Sequence, residues 1–179
     1  MKDVPIEQVD RGWPRPERVV LVTSVDSDGR ANIIAVGWKM RANLQPPVFA
    51  IGLGKKSWSG ASILASGEFV LAVPRAELAR EVMYCGTHSG REVDKFRETG
   101  LTPVPGRVVK APLIEECLAN LECKVTAVQD MGDHRVFFGE VVTCWVSETP
   151  GESLLVIGEG EGYEVMYEEG RFRLGRVKG

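Results

Sequence analysis

The chain has 179 residues, a mass of 19.6 kDa and a net charge of −3, from 22 Lys and Arg against 25 Asp and Glu. With 44% apolar and 26% charged residues it has the composition of one globular domain, not of a disordered, collagen-like or disulfide-scaffold chain. The slightly acidic balance excludes a general grip on nucleic acid, which needs a basic surface to displace counterions, and leaves room for a local basic site.

Met1 to Asp10 lacks an apolar signal core, and no apolar run approaches the ~18 residues of a membrane span. The expectation is a cytoplasmic protein with neither a membrane nor a nucleic-acid partner. Arg18–Val25 (RVVLVTSV) is β-branched and apolar and predicts a strand. Asp26-Ser27-Asp28-Gly29 predicts a tight turn, and Ala31–Trp38 (ANIIAVGW) a second strand, so the two form a hairpin. Gln45-Pro46-Pro47 breaks the chain before a third strand at Val48–Leu53. Ser57 or Ser59 then caps a short helix through Ala65, with Gly67 closing it. Phe69–Pro74 returns as a strand.

Ala76–Tyr84 has helical composition, with Leu78 and Val82 on one face. Cys85–Glu92 reads as a Gly-rich loop and Asp94–Glu98 as one helical turn stopped by Gly100. Leu121–Gln129 and Arg135–Val146, joined by a turn at Asp130–Asp133, predict a second hairpin. Leu154–Ile157 and Tyr163–Leu174 supply short terminal strands. Strands joined by tight turns, with only a few short helices, predict a mainly β, mostly antiparallel fold. Closure into a barrel would remove its edges.

Several motifs fail on their chemistry. None of Cys85, Cys117, Cys123 and Cys144 forms a CxxC pair, and three of them lie in apolar stretches as small buried hydrophobes. Gly52-Leu53-Gly54-Lys55-Lys56-Ser57 is not a P-loop: Phe49 stands where the first Gly belongs and Lys56 where Ser or Thr belongs. Gly158-Glu159-Gly160-Glu161-Gly162 lacks dinucleotide spacing, and its carboxylates would repel pyrophosphate. His88 and His134 are far apart, with no cluster at ligand spacing, so no metal is expected.

Three segments remain. Asn32 follows the first turn on a strand bounded by Gly37-Trp38, which is either an ordinary hairpin strand or an edge facing a planar polar ligand, with Asn32 orienting it. Lys55-Lys56-Ser57-Trp58-Ser59 puts two cations and two hydroxyls at a helix start; it is either a solvated, serine-capped turn or a site for one phosphate. Cys85-Gly86-Thr87-His88-Ser89-Gly90, followed by Asp94-Lys95-Phe96, is rich in small and polar residues. A Cys85–His88 thiolate pair there lacks a third, orienting group.

Taken in order, five segments resemble the flavin reductase-like, FMN-binding split-barrel proteins of the flavoredoxin type. They are VLVTSVDSDGRANIIAVGW with Pro46-Pro47, the Lys55–Ser59 loop, SILASGEFVLAVP, CGTHSGREVDKF and GDHRVFFGEVV. The likeness runs over about residues 18–146. It implies a single domain spanning 1–179, an antiparallel split β-barrel with a few short peripheral helices, with 147–179 as C-terminal strands packing on it. It also implies a homodimer with FMN, or alternatively FAD, near the subunit interface.

Carried over by residue, Asn32, Ile33, Ile34 and Ala35 line the isoalloxazine, mostly through backbone. Gly37, Trp38, Lys55, Lys56, Ser57 and Ser59 surround the ribityl-phosphate end. Cys85, Gly86, His88, Ser89 and Gly90 pass over the ring, and Asp94 and Lys95 close the site, although Asp94-Lys95-Phe96 reads equally as a helix cap with an anchoring aromatic. The family often has Thr and a small residue at Ala35-Val36, and Arg-Tyr-Thr in the phosphate loop, where Lys lacks the bidentate geometry of Arg.

The implied activity is transfer of hydride from NADH or NADPH to the flavin and of electrons onward to a second flavin, a ferric complex or a protein. The cofactor carries that chemistry, so no catalytic side chain is assigned. An FMN-binding electron carrier without pyridine-nucleotide turnover would share the site, and a ligand-binding barrel without flavin is the third possibility.

Overall fold

The computed structural model describes residues 5–6, 16–157, 162–170 and 172–178. Most of the Met1–Asp10 segment and of the Gly158–Gly162 run lies outside them. A short strand β1 (Glu17–Arg18) leads into β2 (Val20–Val25) and β3 (Ala31–Val36). The turn between β2 and β3 is made by Asp26, whose carboxylate accepts the N–H groups of Asp28 at 3.0 Å and Arg30 at 2.9 Å.

β4 (Lys39–Asn43) precedes β5 (Val48–Gly54); the sequence reading contains no strand at this position. Its residues are mostly exposed, and KMRAN, although it alternates polar and apolar residues, holds no β-branched or aromatic residue to mark a strand. Such a charged strand suits a sheet edge, where it discourages pairing with other chains. Between β4 and β5 the Gln45–Pro46 bond is cis.

Helix α1 (Trp58–Ser66) starts at Ser57, whose Oγ accepts the Gly60 N–H at 3.0 Å, and ends at Gly67 in the left-handed conformation with φ 71°. That decides the cap between Ser57 and Ser59. β6 (Glu68–Val73) and a 3₁₀ turn at Ala76–Leu78 lead into α2 (Ala79–Thr87). Cys85, Gly86 and Thr87 are therefore helical, a correction to the predicted loop, because the core takes up Cys85 and carries the helix past the glycine.

α3 (Lys95–Thr99), the short pair β7 (Pro103–Val104) and β8 (Leu113–Ile114), and the long hairpin β9 (Ala119–Met131) and β10 (His134–Val146) follow. The chain closes with β11 (Leu155–Val156), β12 (Tyr163–Glu169) and β13 (Phe172–Val177).

Seven strands form one antiparallel sheet in the order β3-β2-β6-β9-β10-β5-β4. It curls on itself but is not closed by hydrogen bonds: β3 and β4 are its two edges. This gap is the split of a split barrel. A second sheet, β1-β11-β13-β12, packs outside.

β2 alternates between two cores as a strand buried on both faces must. Val20 and Val22 face the barrel interior with Ile51, Ile63, Phe69 and Phe137. Leu21 faces outward against Val82, Met83, Cys85, Phe96, Leu154 and Leu174. The outer core thus joins α2, α3 and the C-terminal strands to the barrel wall. Among the described residues no helix is long and apolar enough to cross a membrane, and no three His, Cys, Asp or Glu converge as metal ligands.

Candidate functional site

The chain crosses the split at Gly37-Trp38, where the Trp38 carbonyl accepts the Gly52 N–H at 2.8 Å. A cavity of about 380 Å³ opens there, within the ~300–1,000 Å³ range of small-molecule sites. One wall is β3 and the bend, from Ile34 to Trp38. The second is the end of β5, Gly52 to Gly54, with His134. The third is α2, through Val82, Met83, Gly86 and Thr87. Val19, Val156, Phe172 and Leu174 form an apolar outer side, with Glu17 at its edge.

Among the described residues β3 pairs with β2 alone. The Ile33 carbonyl is taken by Lys95 Nζ at 2.8 Å, so it points away from β2. Backbone groups alternate along a strand with period two. The N–H and C=O of Ala35 therefore also point away from β2, toward the split. Across the cavity, a Cβ on Gly86 would stand 3.4 Å from the Ala35 Cβ, so α2 comes into contact distance of the edge.

The Lys55–Ser59 loop lies beyond Gly54. Lys55 pairs with Asp130 at 3.2 Å, which Arg135 also holds at 2.6 Å. Hydrogen bonds from Arg135 and Lys55 keep the Asp130 carboxyl below its usual range. Ser57 Oγ accepts the Gly60 N–H as the helix cap, which leaves its O–H as a donor. Ser59 is buried and accepts from Asn32 Nδ2 at 2.7 Å, so these two predicted contacts bond each other. Lys56 is exposed and has no ion-pair partner among the described residues. It stands beside the first turn of α1, whose leading N–H groups have no intrahelical acceptor. Arg91 donates to the Lys56 carbonyl at 3.1 Å and ties this loop to the one after α2.

In that second loop Gly90 lies against Asn32 and Trp58. A Cβ there would fall 2.1 Å from Asn32 Oδ1 and 2.7 Å from Trp58 Cε3, so only glycine fits. Arg30 donates to the Gly90 carbonyl and sits 4.5 Å above the Trp58 ring. Asp94 caps α3 by accepting the Arg97 N–H at 3.2 Å, and Phe96 is buried in the outer core. That favours the cap-and-anchor alternative for these two. Lys95 is 4% exposed and bonds the carbonyls of Ile33 and Cys85, the latter at 2.7 Å. Burial pushes its ammonium below the ordinary value, while nearby Cys85 acts the other way.

Of the predicted site residues, the cavity brings together Ile34, Ala35, Gly37, Trp38 and Gly86. Asn32, Ile33, Ser59, Gly90 and Lys95 lie behind its walls or beside them. The Cys85 thiol is buried in the outer core and pushed up to about 12 by burial, so it cannot serve as a thiolate at neutral pH. His88 is exposed and stacks on Tyr84 at 3.8 Å between ring centroids, not on Cys85. Ser89 Oγ accepts the Arg91 N–H at 3.3 Å within its own loop.

Sequence reasoning missed His134 as a site residue. It opens β10 opposite Gly54, its ring centroid lies 4.5 Å from that of Trp38, and Asp133 holds its Nδ1 at 2.7 Å. The available signal was the GDHR segment within the resemblance. Val156, Phe172 and Leu174 carried no local signal.

A family model described as "Flavin reductase like domain" matches residues 14–173. A flavin reductase of Pseudomonas putida is 29% identical over 86% of this chain and 90% of its own length. The solved flavoredoxin of Desulfovibrio vulgaris (Miyazaki F) superposes with a TM-score of 0.77 at 30% identity, over 88% of each chain. An FMN-binding protein of Thermus thermophilus, solved with p-hydroxybenzaldehyde bound, superposes with a TM-score of 0.75 at 26% identity, over 91% of this chain and 87% of that one.

Proposed function

This chain belongs to the flavin reductase-like domain family, and on that premise we propose that the cavity at the split holds FMN and that the protein is an oxidoreductase. In this reading hydride comes from NADH or NADPH, and electrons leave to a small-molecule or protein acceptor. The observation that carries it is the Ala35 N–H and C=O pair at the edge of β3, facing a cavity whose other linings are largely apolar. A planar heterocycle with a donor–acceptor edge is complementary to such a pair. The Thr hydroxyl frequent in the family is not needed at Ala35, because backbone supplies the contact.

Bound FMN supplies the hydride-accepting ring. The chain's residues bind and orient it. Ile34, Val36, Val82 and Met83 give the ring dry walls, and α2 reaches contact distance of the β3 edge at Gly86. Lys56 and the α1 amides attract one phosphate. His134 Nδ1 is bonded to Asp133, which leaves Nε2 near Gly54 as a polar contact at the rim. The cavity volume suits a mononucleotide better than FAD. A homodimer belongs to the same reading: Trp38 and Met40, each 61% exposed, offer apolar surface beside the cavity on the rim and on edge strand β4.

A visible spectrum of the purified protein, before and after anaerobic NADH or NADPH, tests the reading. Flavin absorbance that bleaches rapidly supports it; a protein that stays colourless when mixed with FMN refutes it. Similarity to flavoredoxin also favours a second reading, an FMN-binding electron carrier. Flavin that is bound but not bleached by either nucleotide in stopped flow would select that one.

A further inference from the structure

We propose that Lys95 is a positioning residue that both spaces the two walls of the cavity and raises the reduction potential of the flavin between them; this rests on the flavin reading above. Lys95 lies among apolar residues of the outer core, where its neighbours Ile33, Cys85 and Phe96 are all buried. Its Nζ donates to the Ile33 carbonyl on β3 and the Cys85 carbonyl on α2, at 2.8 and 2.7 Å. Among the described residues no carboxylate pairs with it. An ammonium group taken from water without a counter-ion is costly, and its two carbonyl acceptors return only part of that cost.

The two carbonyls show what the charge can do. Each belongs to the residue just before a wall of the cavity: Ile33 precedes Ile34 and Ala35, and Cys85 precedes Gly86. One group thus fixes the approach of α2 to the β3 edge, where a Gly86 Cβ would stand 3.4 Å from that of Ala35. It also holds a positive charge close behind both walls. A hydride carries two electrons and one proton, so a ring that accepts it gains one net negative charge. A cation screened by little water favours that state over the neutral one.

A purely structural role is the rival account, since Cys85 lies in the last turn of α2, where carbonyls lack helical partners and a cation is favourable. Three proteins separate the two: wild type, Lys95→Gln, which keeps a carbonyl-directed N–H but no charge, and Lys95→Arg, which keeps the charge. Each is titrated anaerobically with FMN bound, against a reference dye, and its melting temperature and FMN dissociation constant are measured alongside. Lys95→Gln is expected to lower the ratio of reduced to oxidised flavin at fixed potential by about tenfold, about 30 mV for a two-electron couple. Lys95→Arg is expected to stay within about twofold of wild type. Lys95→Met repeats the charge loss if the Gln variant does not fold.

A Gln or Met variant that binds FMN with an unchanged ratio overturns the role of Lys95, as does an Arg variant that shifts as far as Gln. Wild type that binds no FMN overturns the flavin reading itself.

Discussion

Glu122 is fully buried in β9, and its two oxygens serve four donors. Oε1 accepts from the Trp145 indole at 2.8 Å and the Arg107 N–H at 3.1 Å; Oε2 accepts from the Val108 and Val109 N–H groups at 2.6 and 2.8 Å. The carboxylate thereby holds the segment before β8 onto the sheet, and the wrap is tight. A Cβ on Gly106 would stand 2.7 Å from the Val109 carbonyl oxygen and 2.9 Å from Glu122 Oε2.

Glu122→Gln keeps the shape but turns one acceptor into a donor. Whichever way the amide faces, two N–H groups meet an NH₂. The loss is two charge-assisted hydrogen bonds plus buried donors left unsatisfied, about 3–5 kcal/mol in all. Urea unfolding at neutral pH measures it as a fall in midpoint at constant slope. A loss under about 1 kcal/mol would refute the reasoning.

The pH dependence gives a second check. Burial alone would raise the Glu122 carboxyl, but the Trp145 indole and three backbone N–H groups outweigh it and hold it below the usual range. A depressed folded value contributes stability that is full above the unfolded value of about 4.3 and is lost as pH falls through the folded value. The gap between wild type and Glu122→Gln is therefore expected to narrow as pH drops below about 4.3; a gap constant from neutral pH to pH 3 would count against it.

Ala35→Pro removes the edge N–H without breaking the β2–β3 ladder, since that group does not face β2. It should weaken FMN at least tenfold, about 1.4 kcal/mol, in a fluorescence titration, with a smaller change in melting temperature. Lys56→Ala should weaken FMN more than riboflavin, by about 1–3 kcal/mol; equal losses would place the phosphate elsewhere. Of the four cysteines only Cys144 is exposed, contrary to the buried place expected from its apolar stretch, and burial pushes Cys85, Cys117 and Cys123 up to about 12. A thiol reagent at neutral pH should modify one cysteine in the folded protein and four after denaturation.

Elements whose causes are local were legible in the chain itself. Asp26 to Gly29 carries its own turn chemistry, Ser57 and Gly67 bound α1, and Asp94 and Gly100 bound α3. The apolar run of β2 announced a strand, and the fold shows it buried on both faces. β4 carried only a weak signal, because KMRAN is short, mostly exposed and without β-branched or aromatic residues, and its place at the sheet edge is set by the fold. The course of α2 through Gly86 was equally hidden, because packing of Cys85 into the outer core outweighs the weak helix propensity of Gly and Thr.

The site divides the same way. The residue types that favour an anion and a planar ligand stand in the sequence at Lys55–Ser59 and Asn32–Trp38. Which of them face a cavity is a matter of alternation along one edge strand, and the Lys95 bond to Ile33 establishes it for Ala35. Ser57 and Ser59 each already accept one hydrogen bond, from the Gly60 N–H and from Asn32 Nδ2, partners that their place in the chain alone does not announce. His134, Phe172 and Leu174 enter only when strands distant in the chain close around the split. Local sequence determines turns, caps and the donor types available; the three-dimensional fold alone decides which donors remain unpaired, because a hydrogen bond is satisfied by whatever neighbour the fold delivers.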